Sequence, residues 1–216
     1  MTVFSPIPDF KAARSAMVDS QLRPQGVTDP AVVRAMGTVE RERFVPDEAR
    51  ALAYIDRALG LGDGRYLAAP AMLGQLLTQL APVAGERVLV VGSGSGYSAA
   101  VLAAMDLDVT ALDCSTDLAA IASAQGVKTV KGALASGWSG GAPYDLILID
   151  GAVSHLPDAI IRQLADGGRL GTALISGTVP RLIIGRKAGE AFGYYSIGDF
   201  GAPVLPGFDR PQSFTF

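Results

Sequence analysis

The chain has 216 residues, 49% hydrophobic and 18% charged, enough apolar material for one domain with a large core and a helical extension. A net charge of −3 without a basic block argues against nucleic acid, no run approaches the roughly 18 to 20 apolar residues of a membrane span, and Met1–Lys11 lacks a signal-peptide pattern, so a cytoplasmic protein is expected. One cysteine and one histidine exclude an intrachain disulfide and a Cys/His zinc site, so no metal is expected.

Before about Gly64 the chain reads as helical. Ala13, Met17, Val18 and Leu22 recur at helical spacing, with Arg14, Asp19 and Gln21 on other faces. Thr28 or Asp29 suits the cap of a second helix that begins at Pro30 and runs through Val32, Val33 and Met36. Arg41 to Pro46 closes that unit. A further helix from Ala69-Pro70 carries Met72, Leu73, Leu76, Leu77 and Leu80 and stops before Pro82. From there strands are expected over 87–91, 108–112, 127–130, 145–150, 169–175, 181–186 and 192–198, and helices over 96–105, 116–124 and 156–165. Strands separated by helices predict right-handed crossovers and a largely parallel sheet. The last two strands have no helical pattern between them, which predicts an antiparallel end. The Pro-rich tail from Gly201 reads as an extended, packed segment.

The chemistry concentrates in Arg87 to Ala100, RVLVVGSGSGYSAA. A β-branched run ends in Gly92-Ser93-Gly94-Ser95-Gly96 and a small-residue helix follows, an arrangement that brings backbone close to a polar ligand. Asp113 closes the next apolar run, where a carboxylate can accept hydrogen bonds from both ribose hydroxyls. The residue three after Gly94 is Tyr97, so the pattern is GxGxG; a tyrosine there would crowd the helix–strand contact that the dinucleotide fingerprint fills with glycine. S-adenosylmethionine fits this loop, with its carboxylate on free backbone N–H groups and its ribose on Asp113. Nicotinamide or flavin cofactors are the next reading, and glycines serving only a tight turn the plainest one.

Longer stretches carry a pattern of their own: Met17-Val18 with Gln21-Leu22-Arg23, Gly26 to Asp29, Ala35-Met36, Arg41 to Pro46, Ala53 to Asp56 and Leu59 to Gly62. Gly92 to Tyr97 with Ala99 to Ala103, Gly137-Trp138, Ala142 to Asp145 and Gly167 to Leu170 continue it. Together they give the chain a resemblance to the protein-L-isoaspartate O-methyltransferase family. It implies an α/β, class I S-adenosylmethionine-dependent methyltransferase fold, Rossmann-like, with a mostly parallel seven-stranded sheet over residues 65–216 and an N-terminal helical extension over 1–64 packed on the core. It further implies S-adenosyl-L-methionine as cofactor and, as partner, a protein or peptide carrying an isoaspartyl carboxylate.

The departures from the family pattern fall on its site. The family's active-site Ser before Pro70 is Ala68 here, and the glutamate before V-G of the loop is Val90. The G-D-G whose Asp sits beside the adenine reads Gly132-Ala133-Leu134, and the small residues ending the fourth strand are replaced by Asp150-Gly151. The resemblance thus assigns Gly92, Ser93, Gly94, Ser95, Gly96, Asp113, Cys114, Ala133 and Leu134 to the cofactor and leaves the catalytic residue open, with Tyr66 and Asp150 as candidates. An anion at Asp150 would repel a carboxylate acceptor and favour an amine, a hydroxyl or the sulfonium; alternatively Asp150 starts an Asp-Gly turn out of its strand. The departures leave two further readings beside isoaspartyl methylation: a methyltransferase of the same fold with another acceptor, and a non-catalytic cofactor-binding homologue. Cys114 reads as a small packed residue beside the adenine, His155 as a loop or helix-start residue, and Trp138 as a pocket or core residue.

Overall fold

The computed structural model describes residues 9–208. Helix α1 (Phe10–Met17) is capped by the Asp9 carboxylate, which accepts the Ala12 N–H at 3.0 Å. The expected continuation to Leu22 changes pitch: Val18–Leu22 forms one wide π-helical turn. A wider turn brings residues five apart onto one side, so Met17 and Leu22 share the buried face. Of the two possible caps for α2 (Pro30–Thr38), Asp29 is used, accepting the N–H groups of Ala31 and Val32 at 2.8 and 3.0 Å.

A hairpin that the sequence reading did not foresee follows, β1 (Leu59–Gly62) and β2 (Arg65–Leu67). Its two-residue turn is Asp63-Gly64, both at positive φ (51° and 68°), the demand of a type I′ turn. The expected division between extension and sheet domain at 64/65 falls inside this hairpin. Helix α3 (Pro70–Leu80) buries Met72, Leu73, Leu76, Leu77 and Leu80.

The remaining elements are β3 (Arg87–Val91), α4 (Tyr97–Ala103), β4 (Asp108–Asp113), α5 (Thr116–Ala124), β5 (Thr129–Lys131), β6 (Tyr144–Val153), α6 (Asp158–Ile161), β7 (Leu164–Ile175), β8 (Pro180–Ala188) and β9 (Ala191–Asp199). The last seven strands form one sheet in the order β5-β4-β3-β6-β7-β8-β9, parallel through β7 and antiparallel at β8 and β9. Both faces are covered. Val88, Val90, Leu146 and Leu148 join a core shared with residues of the N-terminal extension, while Leu89, Val91, Ile147 and Ile149 join a second cluster on the opposite face.

Two expected elements change. The helix over 156–165 shrinks to α6, because Gln163 and Leu164 are claimed by their neighbours. The Gln163 side chain accepts from Trp138 N–H at 2.7 Å and donates to the Ser136 carbonyl at 2.8 Å, and Leu164 pairs with Tyr144 at the start of β7. Strand β6 in turn outruns its expected end at Asp150 by continuing to Val153, still paired with β7 through Ala152 and Val153. Among the described residues no helix is long and apolar enough to cross a membrane, and no group of His, Cys, Asp and Glu could hold a metal ion.

Candidate active site

The crevice at the carboxyl ends of β3, β4 and β6 contains the glycine loop, Asp113 and Asp150, as open α/β sheets place their ligand sites. Gly96 has φ +96°, and a Cβ there would lie 2.7 Å from the Ala122 Cβ; the close helix packing is supplied at this position. Tyr97 therefore crowds no strand. Its buried ring turns to the extension, packing edge-on against Phe44 with centroids 5.6 Å apart and beneath the Arg41 guanidinium at 4.8 Å.

The loop's amides are less free than the sequence suggested. Gly92 and Ser93 N–H donate to the Leu112 carbonyl, Gly96 N–H to the Ser93 carbonyl, and Gly94 N–H to Asp113 Oδ2 at 2.8 Å. Asp113 is also engaged at both oxygens. Its Oδ1 accepts from Ser115 N–H at 2.9 Å and from Arg65 Nη1 at 2.8 Å. Arg65 reaches it from the hairpin and donates its other arm to the Gly92 carbonyl at 3.0 Å. Both side chains are nearly sealed from solvent, 3% and 1% exposed.

Asp150 is buried within β6, so the turn reading is corrected: the strand runs on to Val153, and at Asp150-Gly151 its register against β7 shifts instead of the chain turning out. Burial pushes its carboxyl above the ordinary value, against the opposing pull of the Ser98 hydroxyl and the guanidinium groups of Arg65 and Arg41. Arg41 is wholly buried and was not singled out from sequence. It donates Nε to the Ala53 carbonyl at 2.7 Å and Nη2 to the Ala68 carbonyl at 2.6 Å, so the backbone at the missing Ser is held while only a methyl is presented.

The other sequence candidates scatter. Tyr66 is 47% exposed and stands on the hairpin face opposite Arg65 and Leu67, away from Asp113. Cys114 is exposed rather than packed, since β4 has ended; it lies with Arg65 Nη1 at 3.7 Å beside a cavity of about 400 Å³. Ala133 is exposed, whereas the Leu134 side chain turns into the core with Leu112 and Tyr144. His155 lies beyond β6, with Nδ1 3.1 Å from the Phe208 carbonyl, and Trp138 packs partly buried against the second core cluster. Val90 is a core residue.

A sequence profile described as protein-L-isoaspartate(D-aspartate) O-methyltransferase (PCMT) matches residues 12–177. The chain belongs to that family. A protein-L-isoaspartate O-methyltransferase of Methylorubrum populi is 43% identical over 165 residues, covering 74% of this chain and 78% of the relative. One from Rhodopseudomonas palustris is 41% identical over 168 residues, covering 74% and 69%. Among solved structures, a β-aspartate methyltransferase (PCMT) from Plasmodium falciparum in complex with S-adenosyl-L-homocysteine superposes with a TM-score of 0.77. It is 19% identical and covers 93% of this chain and all (100%) of that one, a likeness of fold.

Within this family fold, Asp113 suits a ribose diol by position and chemistry, and the glycine loop permits close approach of a ligand. The space directly before the glycines of the loop is taken by the chain's own side chains. A Cβ at Gly92 would meet both Leu205 Cδ atoms at 2.9 Å, and one at Gly94 would meet Leu61 Cδ1 at 2.9 Å. Arg65 and Leu205 were both missed from sequence. The Asp63-Gly64 dipeptide was the available signal for the hairpin that aims Arg65.

Proposed function

We propose that this chain is an S-adenosylmethionine-dependent carboxyl methyltransferase acting on L-isoaspartyl residues of proteins. The observation that carries the reading is the Gly92–Gly96 loop with Asp113 at the ends of adjacent parallel strands, in a chain of this family. Asp113 would hold the ribose and Gly92 to Gly96 would pass close to the rest of the cofactor, with Cys114, Ala133 and Leu134 at the adenine end. S-adenosylmethionine supplies the methyl group.

The acceptor needs little acid–base help. An isoaspartyl carboxylate has a pKa of about 4 and is already the nucleophile near neutral pH. The protein's part is alignment, for which about 7–11 kcal/mol of barrier lowering is available in well-oriented systems. Ala68 offers no hydroxyl to orient that carboxylate. The missing hydrogen bond, about 1–3 kcal/mol, corresponds to a reaction slowed roughly ten- to a hundredfold. The described part of the N-terminal extension, residues 9–64, covers the acceptor above the sheet domain, and the protein works in the cytoplasm.

Transfer of labelled methyl from S-adenosylmethionine to an isoaspartyl peptide, giving a base-labile ester, tests this function. A second acceptor class is favoured by one observation: the Asp150 carboxylate is buried in the crevice instead of turning out of it. If Asp150→Asn raises transfer to the isoaspartyl peptide while leaving amines and hydroxyls unmethylated, the carboxyl acceptor stands. Label in an amine or hydroxyl acceptor, lost on this substitution, supports the second class.

A further inference from the structure

Strand β3 stops at the glycine loop, with Val91 beside Ile149, while β6 runs on to Val153. The flank of β6 that β3 leaves open is taken by the segment around Val204, in a parallel bridge with Ala152. Ala152 N–H donates to the Pro203 carbonyl at 2.7 Å and Leu205 N–H to the Ala152 carbonyl at 2.9 Å. This pairing sets the Leu205 side chain, 6% exposed, over the loop: besides its contact at Gly92, a Cβ at Gly151 would lie 2.6 Å from Leu205 Cγ. The segment lies outside the residues matched to the family, which end at 177.

From the other side comes the hairpin. Arg65 occupies Asp113 and the Gly92 carbonyl, and Leu61 fills the space that a side chain at Gly94 would take. The buried Asp113 carboxylate is thereby balanced by the Arg65 guanidinium. A cleft filled in this way is a compact, charge-balanced structure in its own right, and a cofactor can take Asp113 only from Arg65.

We infer that the cofactor cleft is closed by the chain itself, and that cofactor binding displaces Arg65 from Asp113 and releases the 203–205 strap from Ala152. The inference rests on the methyltransferase reading and specifies how that site is regulated. A ligand that binds only the open form has its apparent dissociation constant raised by the inverse of the open fraction. Weakening either closure therefore tightens binding. The strap and the hairpin act as internal competitors, and whatever draws residues 203–208 away turns the site on.

The test is calorimetric titration of the full chain with S-adenosyl-L-homocysteine, for wild type, Arg65→Gln and Leu205→Ala, beside hydrogen exchange of the Ala152 and Leu205 amides in wild type. The expected result is about tenfold tighter binding in each variant, and about tenfold faster exchange at both amides on saturation. Should Arg65→Gln not fold, the wild-type exchange and Leu205→Ala still decide. Wild-type binding with both amides as protected as before overturns the strap while the methyltransferase reading stands. Unchanged or weaker affinity in folded variants likewise overturns it. No binding by wild type or variants overturns both.

Discussion

Arg65 Nη1 and Asp113 Oδ1 lie 2.8 Å apart in a pair almost wholly removed from water. The carboxylate best placed for a ribose is thus also an internal counter-ion. Asp113 thus serves the closed crevice together with Arg65 and the open one without it.

Replacing Arg65 with Met removes one member of this pair and leaves Asp113 buried without its counter-charge. Breaking such a pair costs about 3–5 kcal/mol. Urea unfolding is expected to show a loss of that order in the free protein, partly recovered by S-adenosyl-L-homocysteine through preferential binding to the folded form.

Ala68→Ser restores a hydroxyl at a position whose backbone is already fixed by Arg41. The expected gain is about ten- to a hundredfold in methyl transfer to an isoaspartyl peptide, read as kcat/KM. A gain confined to KM would show that the hydroxyl binds ground state and transition state equally.

The carboxyl of Asp150 is raised above its ordinary value of 3.8, chiefly by burial. The folded state then holds its proton at pH values where the unfolded chain has released it. The stabilisation is present below 3.8 and is lost as pH rises through the raised folded-state value. Asp150→Asn abolishes this dependence. Denaturant midpoints across the acid-to-neutral range should show wild type losing ground to the variant as pH rises.

Gly96→Ala places a methyl 2.7 Å from Ala122 Cβ at a backbone φ of +96°. Overpacking and the left-handed strain together cost about 2–3 kcal/mol. Thermal unfolding checks the loss, and the α4–α5 contact makes reduced cofactor affinity its companion.

The parts of the fold fixed by local patterns were legible in the sequence. Asp29-Pro30 starts α2, Gly92 to Gly96 ends β3, Asp113 ends β4, and the absence of a helical pattern before β9 gave the antiparallel edge. The parts fixed by distant partners were not. Residues 156–165 look helical until Gln163 is seen bonded to Ser136 and Trp138, and β6 looks finished at Asp150 until its later residues pair with β7 and the strap. For the site, position was legible and occupancy was not. Asp113 sits where the motif placed it, but Arg65 lies 48 residues away in the chain and Leu205 beyond the last matched stretch.

The most direct measurement is methyl transfer to a matched pair of peptides, one with an isoaspartyl and one with an ordinary aspartyl residue, using labelled S-adenosylmethionine and the full chain. A base-labile ester on the isoaspartyl peptide alone is the expected result. Label in neither peptide, or equal label in both, would contradict an isoaspartyl carboxyl methyltransferase.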